Sequence, residues 1–271
     1  MIEFSPLGYR HFLEHIRNQG YGLATFDDLT GDQARQTKRC FMRHDLDVSL
    51  DFALEMARLE HSMGVRTTYF VMFRSPIYNL LSRHNSQQLQ GLRRLGHQIG
   101  LHFDVSCARE PWQPVESALR FELNALEFML GEKVTAFSLH QPTQAVIEQQ
   151  IEVPGVLNAY HPEHLRGIRY LSDSNRNWRG KDPLLELTAS ENSIQILTHP
   201  IWWMCTNAIA DCWDAAVLAN FVNAQSQLLA TEDTYRQARE MILIRDDKPD
   251  IGERRTEAIE KKPAGRDGLP R

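Results

Sequence analysis

The chain has 271 residues, a net charge of −5, and 42% hydrophobic and 24% charged residues, which are the proportions of an ordinary globular protein. Its length suits one large domain or two small ones, and its acidic balance gives no reason to expect nucleic acid or an anionic membrane as partner. No apolar run is long enough to span a bilayer, and Met1-Ile2-Glu3-Phe4-Ser5-Pro6 lacks a basic segment followed by an apolar one, so no export signal is read.

Tyr9 to Gln19 has the spacing of an amphipathic helix ended by Gly20. Arg39 to His44 is the first core strand, followed by a helix over Leu50 to Met63 that Gly64 stops. Thr67 to Met72 is rich in β-branched and aromatic residues and reads as a strand. Ser86 to Leu95 is a helix closed by Gly96, Gln98 to His102 a short strand, and Glu116 to Leu130 a helix closed by Gly131. Val134 to Leu139 is a strand, with weaker ones near Val156 to Ala159 and Arg169 to Leu171. Ile194 to Thr198 is the last strand, and Asp211 to Ile244 reads as one or two long helices. Strands alternating with helices predict a mostly parallel sheet, and a single-domain α/β barrel over residues 1–245 is the simplest account. Residues 246–271 are nearly all charged, Pro or Gly and predict a disordered tail. Cys40, Cys107, Cys205 and Cys212 share no Cys-x-x-Cys spacing and read as free thiols of a reducing, cytoplasmic compartment.

The polar residues able to do chemistry fall just past strand ends. Asp45 and Asp47 close the first core strand; residues two apart on a strand point to the same side, and two carboxylates that close need a proton, a cation or a metal. His102 and Asp104, then His140, then Asp173 and Trp178, and finally His199 end later strands. In a parallel barrel these ends converge on one face. Carboxylate plus imidazole suits Zn²⁺ or another borderline divalent metal. A second carboxylate can act as base toward water, and a histidine opposite can serve as acid.

The ordered segments HDLD (His44 to Asp47), GHQIGLH (Gly96 to His102), SLHQP (Ser138 to Pro142), SDSNRNW (Ser172 to Trp178) and ILTH (Ile196 to His199) resemble the polysaccharide deacetylase superfamily. This is the NodB-homology, carbohydrate esterase family 4 group, and the likeness is greatest to a WbmS-type branch associated with surface-polysaccharide biosynthesis. The resemblance runs from about Cys40 to Trp203. It implies an irregular (β/α) barrel, usually of seven strands, and removal of acetyl groups from a carbohydrate substrate with one divalent metal, Zn²⁺ foremost, with Co²⁺ or Mn²⁺ as alternatives. It implies Asp45 as catalytic base, Asp47 and His102 as metal ligands, and His199 as general acid. Leu197 would line the acetyl pocket, while Asp173 and Trp178 would orient the base network and wall the groove.

Three departures stand out. Where the family has a second histidine four residues after the first, this chain has Ser106; His140 is the preferred third ligand, with Asp104 and water as alternatives. Where an arginine usually pairs with the base, Gln141 stands, so Arg43 or Arg176 would have to compensate. The usual Gly-Pro after the first motif is Val48-Ser49. Thr25-Phe26-Asp27-Asp28 spells the family's first motif more literally, but it lacks the strand before it and reads as a turn or helix cap. His97 reads as structural, His44 as core-facing by alternation, and His161 and His164 as loop residues. Trp202 and Trp203 read equally as sugar-stacking or core-closing. Two further functions compete: an inactive barrel that binds carbohydrate or supports a biosynthetic complex, and a hydrolase of small non-peptide amides.

Overall fold

The computed structural model describes residues 2–29, 38–108, 114–188 and 192–246, without the side chains of 107, 108 and 242–246. Residues 247–271 of the expected tail and the Cys107 thiol lie outside the described residues, whereas Cys40, Cys205 and Cys212 are free and buried. The chain forms two units divided after Asn223.

Among the described residues the first unit is built on eight parallel strands, β1 (Gly22–Ala24), β2 (Arg39–Leu46), β3 (Thr68–Val71), β4 (Gln98–Phe103), β5 (Ala136–Leu139), β6 (Leu157–Asn158), β7 (Arg169–Ser172) and β8 (Ile194–Thr198). They lie in the order β6-β5-β4-β3-β2-β8-β7, with β1 paired beside the start of β2. The sheet curls into an open half-barrel flanked by helices. Helices α1 (Pro6–Asn18), α2 (Leu50–Ser62), α3 (Arg83–Arg94) and α4 (Val115–Leu130) are the main ones outside it; α5 (Gln144–Glu148), α6 (Pro183–Thr188) and α7 (Pro200–Met204) are short. The second unit holds the end of helix α8 (Ile209–Thr231) and helix α9 (Asp233–Asp246), the two-helix version of the expected C-terminal stretch. No helix of the described residues is long and apolar enough to cross a membrane.

Local chemistry sets the helix ends. Ser5 Oγ accepts from the Gly8 amide at 3.0 Å, with Pro6 opening α1, so the helix starts earlier than its apolar spacing predicts. Ser82 caps α3 through the Asn85 amide at 3.2 Å in the same way. Gly131 ends α4 at φ 69°, a left-handed conformation that glycine adopts without steric penalty.

Strand alternation sorts the side chains into two layers. Met42 and Leu46, Ile99 and Leu101, Phe137 and Leu139, and Ile194 and Ile196 pack outward into the clusters shared with the helices. Phe41, Phe70 and Ala136 point into the half-barrel, with Phe26. Gly100 faces the same interior, where a Cβ would stand 2.5 Å from the Phe70 ring and 2.9 Å from the Ala136 carbonyl oxygen. β6 and β7 are not paired; Gln195 Nε2 reaches the Ala159 carbonyl at 3.3 Å and Arg43 reaches the Tyr160 hydroxyl at 2.9 Å across that side.

The outer layer wholly buries the carboxylate of Glu60 of α2. It accepts from Tyr9 Oη at 2.5 Å, Tyr69 Oη at 2.6 Å, Thr67 Oγ1 at 2.9 Å and His44 Nε2 at 2.9 Å. Burial pushes its carboxyl up, but the His44 ring and these donors outweigh burial and hold it down to about 2, from an ordinary 4.5. A depressed carboxylate stabilises the fold at pH above its unfolded value, and that stability is lost as pH falls through the folded one. The effect is on the order of 3 kcal/mol. Glu60→Gln, which turns one acceptor into a donor facing donors, is expected to lose about 2–4 kcal/mol at pH 7. The deficit in urea denaturation should shrink between pH 4.5 and 2; an unchanged midpoint at pH 7 would contradict the role. His97 is structural here as well: its Nδ1 accepts from the Thr67 amide at 3.3 Å and its Nε2 faces the Ala57 carbonyl at 3.2 Å.

Candidate metal centre

The two-residue period that buries the outer layer also aims polar residues inward. On β2 the inward set runs Phe41, Arg43, Asp45 and continues to Asp47 past the strand end. On β4 it runs Gln98, Gly100, His102; on β5 Ala136, Ser138 and then His140; on β8 Gln195, Leu197 and then His199. The ladders β2–β3, β3–β4 and β4–β5 carry these ends to one place, with His102 directly opposite Ser138.

Asp47, His102 and His140 meet in a triangle. Asp47 Oδ1 lies 3.1 Å from His102 Nε2 and 3.2 Å from His140 Nδ1, and the two nitrogens are 3.1 Å apart. Among the described residues this is the one group of three such side chains able to hold a metal ion. Asp47 Oδ1 is buried yet has no hydrogen bond of good geometry. No protonation state of neutral or charged imidazoles satisfies all three edges. With one ring nitrogen bare, it faces the carboxylate lone pair to lone pair; with both protonated, two N–H groups oppose each other. A cation at the centre removes the conflict. Zn–N and Zn–O bonds of about 2.0–2.1 Å at tetrahedral angles give edges of about 3.3–3.4 Å, close to those observed. The donor set therefore fits a divalent metal. Burial pushes the Asp47 carboxyl up, but the His102 and His140 rings outweigh it and hold the group well below the usual carboxylate range.

Behind the triangle, His102 Nδ1 meets Ser138 Oγ at 2.7 Å and Asp45 Oδ2 at 3.6 Å. Ser138 Oγ faces Asp45 Oδ1 at 3.5 Å, and Arg43 Nη2 donates to Asp45 Oδ2 at 2.8 Å. Arg43, wholly buried, stacks over the Tyr160 ring at 4.6 Å. The partner of Asp45 is thus an arginine two residues away on its own strand. Gln141 forms no hydrogen bond to Asp45; it sits at φ 40° on the rim.

On the opposite side, His199 Nε2 is 3.9 Å from Asp47 Oδ2. Its Nδ1 bonds Asp173 Oδ1 at 2.6 Å and its amide donates to Asp173 Oδ2 at 3.1 Å. The same Oδ2 accepts from Trp203 Nε1 at 2.8 Å. Burial lowers the His199 ring, and buried Asp173 more than reverses this, raising it to about 9.

The remaining residues fall around this centre. Asp104 accepts from the Ser106 amide at 2.8 Å and lies outside the triangle. With Ser106, His140, Gln141, Pro142 and Thr143 it lines a cavity of about 260 Å³. Leu197 is buried beside Arg43 in the β2–β8 ladder. Trp202 is buried, its ring 6.5 Å from that of His199. Trp178 packs with Phe4, Phe12 and Trp203 in the outer cluster. Arg176 bonds the Asn207 carbonyl at 2.6 Å, away from Asp45. Asp28 caps a turn through the Thr25 amide at 2.9 Å, and Asp27 holds Gln98 at 2.9 Å, at the N-terminal end of the strands. A hollow of about 540 Å³ at that end, lined by Asp27, Thr135 and Val153 to Leu157, is larger but includes no residue of the triangle. Ser138, Tyr160 and Trp203 are the structural partners that motif reading alone did not assign; alternation from His140 points to Ser138.

No family model matches the chain, and no curated protein matches it. Among solved structures, a Streptococcus mutans CE4 esterase shares 15% identity over 77% of this chain and 90% of that one, with a TM-score of 0.44. The chitin deacetylase of Colletotrichum lindemuthianum shares 15% identity over 67% of this chain and 81% of that one, with a TM-score of 0.40. A CE4 family pseudoenzyme from Bacillus anthracis shares 12% identity over 69% of this chain, with a TM-score of 0.40, and this chain spans 61% of the pseudoenzyme's length.

Proposed function

We propose that this chain is a metal-dependent hydrolase that removes an acetyl group from an N-acetylated sugar or polysaccharide precursor, on the WbmS-like branch that its motifs resemble. The observation that carries the proposal is the Asp47–His102–His140 triangle, frustrated without a cation, with His199 poised 3.9 Å from Asp47. A bound Zn²⁺, or Co²⁺ or Mn²⁺ on the same donors, supplies Lewis acidity toward an acyl oxygen and a more acidic water.

The chain's own residues do the rest. Asp45, charge-paired with Arg43, takes the proton of the attacking water. His199, held by Asp173, gives a proton to the departing amine nitrogen as the C–N bond breaks. The water oxygen bonds the acetyl carbon as the C–N bond breaks, giving acetic acid and the free amino sugar, and loss of the Asp45 proton to solvent with reprotonation of His199 resets the site. Leu197 and Trp202 wall the acetyl group, and Asp104, Gln141 and the cavity beside His140 take the sugar; Trp178 backs the Asp173 side.

One observation favours the second reading, a barrel that binds carbohydrate without turnover: Asp45 is only 2% exposed and its oxygens already face Arg43, Ser138 and His102. Metal-loaded protein assayed for acetate release from N-acetylated sugars, beside other small acylated amides, separates the readings. Release from the sugars is expected, falling at least about 100-fold in Asp45→Asn at saturating metal. Full activity in Asp45→Asn would remove Asp45 from the base role. Carbohydrate binding with no release at all would favour the non-catalytic barrel, and release only from small non-sugar amides would favour the third function.

A further inference from the structure

We infer that Ser138 is a positioning residue for the metal centre, fixing the tautomer of His102 so that its Nε2 is bare toward Asp47 and His140. The inference rests on the metal-site reading above and concerns a residue outside the resembling motif's roles.

Ser138 is wholly buried, and His102 and Asp45 are each 2% exposed, so water does not compete within the chain of contacts. The serine hydroxyl has one proton and two groups to serve, His102 Nδ1 at 2.7 Å and Asp45 Oδ1 at 3.5 Å. An ionised carboxylate can only accept. Asp45 is ion-paired with the wholly buried Arg43, whose Nη2 donates to Oδ2 at 2.8 Å, so its oxygens stand as acceptors here. The hydroxyl proton therefore points to Asp45, and Ser138 Oγ must accept the Nδ1 proton of His102. Asp45 Oδ2, 3.6 Å from the same Nδ1, favours a proton there as well. A neutral imidazole with its proton on Nδ1 presents a lone pair at Nε2, the atom in the triangle. The reverse tautomer would aim an N–H at the cation position and leave a bare Nδ1 facing a carboxylate. Outer partners of this kind orient metal-ligating histidines, and their loss weakens metal binding by about 10–100-fold.

The test is zinc affinity by competition with a chromophoric chelator, on the full chain. Wild type is expected to bind one zinc, and Ser138→Ala to bind it about 10–100-fold more weakly, with its far-UV circular dichroism unchanged. Asp45→Asn, which removes the charge that directs the hydroxyl, should weaken binding in the same direction. Ser138→Ala binding within twofold of wild type would overturn the inference and leave the metal site standing. Wild type that binds no zinc would instead overturn the metal reading itself. A readout on wild type covers the case in which the variant does not fold. In the zinc-loaded protein the His102 Nδ1 proton should exchange slowly with water in ¹H–¹⁵N spectra, held in its buried bond to Ser138, and rapid exchange would overturn the inference.

Discussion

His140→Ala is expected to weaken zinc binding more than 100-fold, beyond the range for losing an outer partner, and to take acetate release with it. Two edges of the triangle end on His140 Nδ1, 3.2 Å from Asp47 and 3.1 Å from His102. Removing the ring leaves two protein donors, too few for a closed or catalytic zinc site. Asp104→Ala is the matching control. Its carboxylate is committed to the Ser106 amide at 2.8 Å, so zinc affinity should stay within a few-fold of wild type. Chelator competition on the two variants decides between the residues that the missing second motif histidine left as candidates. Loss of binding in Asp104→Ala with retention in His140→Ala would reverse the assignment.

His199→Ala is expected to lower turnover by about 10²–10⁴, the range for a positioned acid, while zinc remains bound. The ring is clamped through Nδ1 by Asp173 at 2.6 Å, so Nε2 is the nitrogen presented to the site. At 3.9 Å from Asp47 Oδ2 it stands beside the triangle rather than in it. Asp173→Asn keeps the volume but loses the charge that stabilises the protonated ring, and a smaller fall in the same direction is expected. Turnover measured together with zinc content on the same sample checks both. Loss of the metal along with activity would make His199 a ligand, and unchanged turnover would remove it from the chemistry.

Much of the site is legible in the sequence because period-two alternation is a strong rule at strand ends. Asp47, His102, His140 and His199 each continue the inward set of their strand, and the shared parallel direction brings those ends together. The spacing of the motif histidines breaks at one point, where the sequence already offers His140 as the preferred replacement. The position four residues after His102 is Ser106, which the short helical turn Val105–Ala108 carries beyond the strand, its amide tied to Asp104. The next strand end supplies the imidazole instead.

What was not legible depends on partners distant in sequence. Glu60 lies in a helix where a charged residue reads as solvated, yet donors from α1, β2 and β3 bury it. Arg43 looks like one of two possible counter-charges until Tyr160, 117 residues away, and Asp45 fix its place. Alternation from His140 puts Ser138 on the inward face, but a serine there looks the same whether it fills space or orients a histidine. The start of α1 departs from the apolar spacing for a local reason: the Ser5–Pro6 cap extends the helix before that spacing begins.

The proposed function requires Asp47, His102 and His140 together to bind one divalent metal. Crystals soaked in zinc, with diffraction measured at the zinc absorption edge, test it most directly. One anomalous peak about 2.0–2.2 Å from Asp47 Oδ1, His102 Nε2 and His140 Nδ1 is predicted; a strong peak elsewhere with none inside the triangle would contradict it.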